Sequence, residues 1–202
     1  RIIGDFTAPV VDSTLLKIGQ VLIASANSNP ITMGIILGGI ITVVATAPLS
    51  SMALTAMLGL TGAPMAIGAL SVFGSSFLNF VLFQKMKFGS KKDTISVAIE
   101  PLTQADIITA NPIPIYVTNF IGGALCGIII VLMGLTNMSP GTATPIAGFA
   151  VMFAYNPAFK VLMASLACVV VSAGSGYLGY LLFKNYKIHT VDEIRGNDLE
   201  VE

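Results

Sequence analysis

The sequence predicts an all-α, polytopic transmembrane helical protein with an internal duplication and broken or re-entrant helices. Two observations carry most of that expectation. Of the 202 residues, 54% are hydrophobic and only 10% charged, against about 25% charged in soluble domains. The charges are also clustered: none falls between Lys17 and Lys85, between Asp106 and Lys160, or between Lys160 and Lys184. Each gap is long enough for a crossing, which takes about 20 apolar residues. Net charge is zero and the basic residues are scattered, so nucleic acid is not an expected partner. The third observation is a repeat, described after the elements.

Residues 1–14 read as the remnant of a preceding element, and the start at Arg1 suggests a piece of a longer domain. Residues 15–26 suit a short helix that breaks at Asn27-Ser28-Asn29-Pro30. A span over 31–47 ends at Pro48. The stretch 49–60 is too short to cross and reads as a half-helix or re-entrant segment. Residues 65–84 span again.

The Lys-rich stretch 85–99 follows, with 89–98 as a cytoplasmic connection. Residues 101–110 predict a second short helix ending at Asn111-Pro112, and 113–135 a span. Residues 136–157 hold an apolar stretch too short to cross. A last span covers 158–183, and 189–202 form a polar tail in which His189 is solvated. Short Lys-rich connections favour the cytoplasm. Lys85, Lys87, Lys91, Lys92, Lys184 and Lys187 are therefore expected inside, and Lys160 outside, where its stem can snorkel.

Offset by 84 residues, Gln20, Ile23, Ala26, Asn27, Pro30, Ile31, Gly38 and Gly39 recur as Gln104, Ile107, Ala110, Asn111, Pro114, Ile115, Gly122 and Gly123. Offset by 100, Gly74, Ser75, Leu78, Leu82, Phe83 and Lys87 recur as Gly174, Ser175, Leu178, Leu182, Phe183 and Lys187. Apolar sequence repeats Gly, Ala and Leu by chance, but Gln, Asn, Pro and Lys in register are harder to obtain that way. The expected units are repeat 1 over 15–88 and repeat 2 over 99–188. Both begin and end toward the basic side, which favours parallel copies. Repeats with interrupted short helices are the usual build of secondary transporters.

Asn27, Asn29 and Asn111 lie at the breaks, where an amide can cap freed backbone groups or meet a polar ligand. The second copy has Glu100 and Asp106 where the first has Leu16 and Leu22. Intramembrane carboxylates mark pathways or substrate sites, and a carboxylate binds sugar hydroxyls, protons or Na⁺. The alternative is an interfacial helix whose acids face water or pair with Lys91 or Lys92. The substrate-binding candidates are therefore Glu100, Gln104, Asn111, Asp106, Gln20 and Asn27.

Gly34-x-x-x-Gly38 and Gly123-x-x-x-Gly127 suit close helix packing. Cys126 and Cys168 read as small buried hydrophobes. Asn79, Tyr116, Asn119, Tyr155 and Asn156 are cavity liners or internal hydrogen-bond partners. Catalytic groups, metal ligands and cofactors are not expected, because the sequence has no nucleophile–base pair, zinc motif or phosphate loop.

Gln20-Val-Leu-Ile-Ala-Ser-Ala-Asn27 with Pro30, Ile99-Glu100-Pro101-Leu102-Thr103-Gln104 and Asn111-Pro112 resemble the phosphotransferase-system EIIC-type membrane proteins related to the toxin regulator PfoR. The resemblance covers most of 15–195. It implies a multi-pass protein of the bacterial inner (plasma) membrane that translocates a sugar or similar polar solute. It also implies a homodimer and a cytoplasmic EIIB-type partner, with phosphoryl transfer left to separate EIIA and EIIB proteins. A Glu near a re-entrant hairpin contacts sugar in relatives, and Glu100 matches it; the companion His of some relatives has no counterpart in these spans. The alternative is a non-transporting membrane sensor or regulator of gene expression, with a partner docking on 85–99 or 184–202.

Overall fold

A computed structural model describes residues 16–196, and every described element is helical apart from one isolated bridge between Gly62 and Asn137. The helices are α1 (Leu16–Ala26), α2 (Pro30–Thr46), α3 (Ser51–Met57), α4 (Ala63–Met86), α5 (Lys91–Ile99), α6 (Ala105–Ala110), α7 (Pro112–Leu132), α8 (Pro145–Val151), α9 (Ala158–Phe183) and α10 (Val191–Gly196). One 3₁₀ turn, Pro101–Gln104, joins α5 to α6, and another, Met152–Ala154, follows α8. Only α4, α7 and α9 are long and apolar enough to cross a bilayer.

Proline, serine and asparagine set most boundaries. Pro30 opens α2 at a position that needs no N–H, while the Asn29 side chain accepts from Thr32 N–H at 2.9 Å. Ser50 caps α3. Ser90 and Asp93 form a reciprocal capping box at α5, satisfying two backbone donors. Glu100 and Pro101 then stop α5, because the residue before proline is driven out of helical geometry; Glu100 is extended at φ −148°, ψ 104°.

The crossing directions follow from the packing. Helix α7 is central and antiparallel to its three large neighbours. Gly34 and Gly38 of α2 meet Gly127 and Gly123, and Thr42 Oγ donates to the Asn119 carbonyl at 2.9 Å. On α4, Ser71 and Asn79 reach Gly123 and Asn119. On α9, Gly179 and Ser175 lie against Thr118 and Gly122. A Cβ on Gly34 would sit 2.8 Å from the Gly127 backbone, and one on Gly38 would collide with the Gly123 carbonyl. Small residues at these positions bring the backbones together where lipid supplies no hydrophobic drive between helices. Buried Asn79 and Asn119 share a 2.7 Å hydrogen bond within the bundle.

Helix α2 has 17 residues, and its Ala45 borders the same cavity as Val72, near the middle of α4. The connection over 89–98 carries a helix, because the Ser90–Asp93 capping box opens α5, which packs on α4. One expectation changes: the two matching blocks are not both parallel. Helices α2 and α7 are antiparallel, while Gly74 meets Ser172 and Gly176 meets Leu78, so α4 and α9 run parallel. No single rotation relates both matching blocks. The added length before α9 folds into an inward arm that ends at α8, so the chain enters α9 in the same direction as α4.

Gly127→Ala is expected to destabilise the purified protein by about 2 kcal/mol through overpacking. Gly174→Ala, whose Cβ would meet nothing within 4 Å, is expected to stay within about 0.5 kcal/mol of the parent. Melting curves of the two variants check the contrast.

Candidate functional site

Three inward-folding segments end at one place. From the face that carries Gly62 and Asn137, α2 descends to Ala47–Ser50 and α3 returns. From the same face, residues 138–144 descend and α8 returns, tied at the rim by Asn156 to Thr136 and by Tyr155 to Ser139. From the Lys-rich face, α5 rises to Glu100–Leu102, and the 3₁₀ turn with α6 returns to Asn111. The tips meet beside Val72, about 14 Å along α4 from Ala63 and about 21 Å from Met86 at 1.5 Å per residue. Ser51 Oγ donates to the Ala143 carbonyl at 2.8 Å and joins the two upper tips.

Ala45, Ser50, Val72, Glu100, Pro101 and Thr144 border the shared cavity, which holds about 70 Å³. Glu100 is exposed, and its carboxylate has no hydrogen-bond or ion-pair partner among the described residues. The tips are backed by protein and frame a void, with Pro101 and Ala143 buried at its border. Ligand pockets usually measure about 300–1,000 Å³, so the tips are closed together in this conformation.

Gln104, Asp106 and Asn111 lie elsewhere, on the Lys-rich face, and are occupied. Arg195 of α10 donates to Asp106 at 2.7 and 3.2 Å, to Asp93 at 3.0 Å and to the Gln104 carbonyl oxygen at 2.9 Å. Asn111, fully buried, accepts from His189 N–H at 2.8 Å and donates to the His189 carbonyl at 2.7 Å. Asp106, a substrate-binding candidate whose alternative was to face water or pair with Lys91 or Lys92, has Arg195 as its partner. The described part of the tail is not simply solvated: its backbone is pinned to Asn111, while the His189 ring stays exposed beside Glu193. Asn27 caps α1 by donating to the Ile23 carbonyl at 3.2 Å. Gln20 lines an apolar cavity of about 510 Å³ between α1 and α3 that shares Leu49 and Ser50 with the tip cavity.

The six candidates therefore fall into three places, and Glu100 alone reaches the meeting point of the tips. Arg195, Asp93, Ser51 and Thr144 were missed. Arg195 is the only arginine after Arg1, the one signal that would have drawn attention to it. Asp93 is half-legible in the Ser90-x-x-Asp93 spacing.

The Arg195 cluster has a definite pH behaviour. The Arg195 hydrogen bond holds the Asp106 carboxyl below its ordinary value near 3.8. Burial pushes Asp93 up, but hydrogen bonds from Ser90 and Arg195 outweigh it and leave that carboxyl lowered as well. Arg195 is held further in its charged form.

A family model described as "Phosphotransferase system, EIIC" matches residues 1–199. No curated protein and no solved structure matches the chain.

Carboxylates with lowered pKa values stabilise the docked state above their unfolded values and lose that stabilisation as pH falls through the folded ones. Amide exchange in α10 is expected to be slow at neutral pH and to accelerate below about pH 4. Arg195→Ala should accelerate it about fivefold at neutral pH, the scale of a half-exposed ion-pair cluster, and should remove most of the acid step.

Proposed function

The chain belongs to the EIIC family of the phosphotransferase system, the membrane permease component, and on that premise we propose that it moves a sugar or similar polar solute past Glu100. The observation that supports this reading is the convergence of three inward tips on a cavity bordered by Glu100, beside the middle of α4. A carboxylate left without a protein partner keeps its acceptor capacity for solute hydroxyls, and a site at broken helices near the midplane is the common transporter arrangement.

Ser50, Ser51 and Thr144, from the other two tips, bring hydroxyls to the same cavity border. The tips approach from opposite faces, so separating the upper pair from the α5–α6 hairpin opens the site toward one side. Solute entry then requires the closed 70 Å³ void to widen severalfold. Gln104, Asp106 and Asn111 act by holding the base of the hairpin rather than by touching solute. Asn27 is a cap, and Gln20 lines the neighbouring cavity.

In this reading the protein lies in a bacterial inner membrane, works as a homodimer, and presents solute to a separate cytoplasmic EIIB-type protein that carries the phosphoryl group. The side chains of Leu162, Leu166, Val170 and Leu178 on α9 are all more than half exposed and give lipid or a second copy an apolar face. One observation favours the alternative of a membrane sensor: Arg195 ties the C-terminal segment directly to the hairpin that carries Glu100, a route by which solute occupancy could reach a cytoplasmic partner.

Glu100→Gln is expected to weaken solute binding at least tenfold, the scale of one charge-assisted hydrogen bond, with an unchanged melting temperature in the absence of solute. Binding measured over a broad sugar panel decides. No binding by the parent protein, or equal binding by the variant, would contradict the assignment of Glu100. Uptake in vesicles supplied with an EIIB-type protein separates transport from sensing.

A further inference from the structure

Two clefts on the outer surface of the α4–α5 pair are continuous, because Phe80 and Ile95 line both. The outer cleft, about 240 Å³, lies at the Lys-rich face and is bordered by Lys87, Lys91, Gln84, Gly89 and Thr94. The inner cleft, about 370 Å³, is almost wholly apolar and is walled by Phe73, Phe77, Ile99 and Ile146. Together they form one groove with a basic mouth and an apolar shaft.

The dimensions match one leaflet. From Lys87 to Phe73 along α4 is about 21 Å at 1.5 Å per residue, and half the hydrocarbon core with its headgroup layer spans about 20 Å. The shaft ends at Ile146, beside Pro145 of the third tip, and Ile99 precedes Glu100. Phe77, Phe80, Ile95, Ile99 and Ile146 are each exposed by more than a third, and among the described residues no helix covers them.

Charge selects the occupant. Lys87 and Lys91 are free of carboxylate partners among the described residues, since Asp93 and Asp106 are taken by Arg195. Lys85, the neighbouring cation, lies over the Tyr177 ring on the α9 side, 5.7 Å from its centroid. We propose that this groove is a binding site for one anionic phospholipid of the cytoplasmic leaflet, its phosphate between Lys87 and Lys91 and one acyl chain along Phe80, Ile95 and Phe77 toward Ile146. The bound chain covers the outer wall of the α5 hairpin, so lipid occupancy bears on how readily the hairpin leaves the other two tips.

The test uses the full chain purified in a mild detergent, with native mass spectrometry of added phosphatidylglycerol against phosphatidylcholine. The parent is expected to retain phosphatidylglycerol about thirtyfold better, from two lysines at about 1 kcal/mol each. The pair Lys87→Gln with Lys91→Gln should bring the preference below twofold, while Lys184→Gln with Lys187→Gln on the same face should leave it intact. Ile95→Trp, at a half-exposed position that tolerates the change, should lower retention of both lipids.

Glycerol phosphate at millimolar concentration should not displace the lipid, which separates a lipid site from a site for free phosphate. Equal retention of the two lipids, or a preference that survives the Lys87/Lys91 change, overturns the proposal. So does displacement by glycerol phosphate, or a disulfide between copies carrying Phe77→Cys that shows a second chain seated in the groove.

Discussion

Everything in this molecule depends on how closely α2, α4 and α9 can approach α7. A helix that stops inside a bilayer exposes carbonyls and N–H groups that lipid cannot satisfy. The chain interrupts its helices at three places that meet beside Val72: after α2 at Ala47, after α5 at Glu100, and before α8 at Thr144. These ends survive because the surrounding crossings are packed at near backbone contact. Gly34 and Gly38 against Gly127 and Gly123 allow α2 to lie flush on α7. The resulting wall holds the 17-residue α2 flush along most of α7. Thr42 adds a hydrogen bond across the same seam.

That packing gives the tips a fixed address. Two come from one face and one from the other, and their meeting point is the only position at which Glu100 can be shared among them. The base of the lower hairpin is held from outside the membrane by Arg195 and by the backbone around His189. The seam, the tips and the tether are three separate parts of the structure: close backbone packing, a shared cavity border and an ion-pair cluster around Arg195.

Much of the fold was legible because a bilayer imposes simple rules. Charge-free runs marked α4, α7 and α9, Pro48 marked a helix end, and the 49–60 stretch was too short to cross. What was not legible depended on partners distant in sequence. Helix α2 reads in the sequence as one more apolar run, and only its packing shows that its end lies beside Val72. The repeat pointed to parallel copies because sequence identity carries no direction, and the inward arm before α9 reverses the second block relative to the first.

The site divided in the same way. Glu100 drew attention because it stands where the first copy has Leu16, and the structure puts it at the border of the tip cavity. Asn111 and Asp106 looked equally suggestive, but an amide at a break serves a backbone as readily as a ligand, and Asp106 met Arg195, 89 residues away. The hydroxyls of Ser51 and Thr144 were invisible as site residues because serine and threonine are common at helix starts; only the convergence of the tips gives them a shared location.

The most direct test of that convergence is water access at the tips. Thr144→Cys places a thiol at the cavity border in a chain whose own Cys126 and Cys168 are buried, and a membrane-impermeant maleimide can be applied to either side of oriented vesicles. The account predicts that position 144 is labelled although it lies near mid-membrane, and that a bound solute slows the labelling. A thiol there that stays unreactive from both sides, with or without solute, would contradict a shared polar site at Glu100.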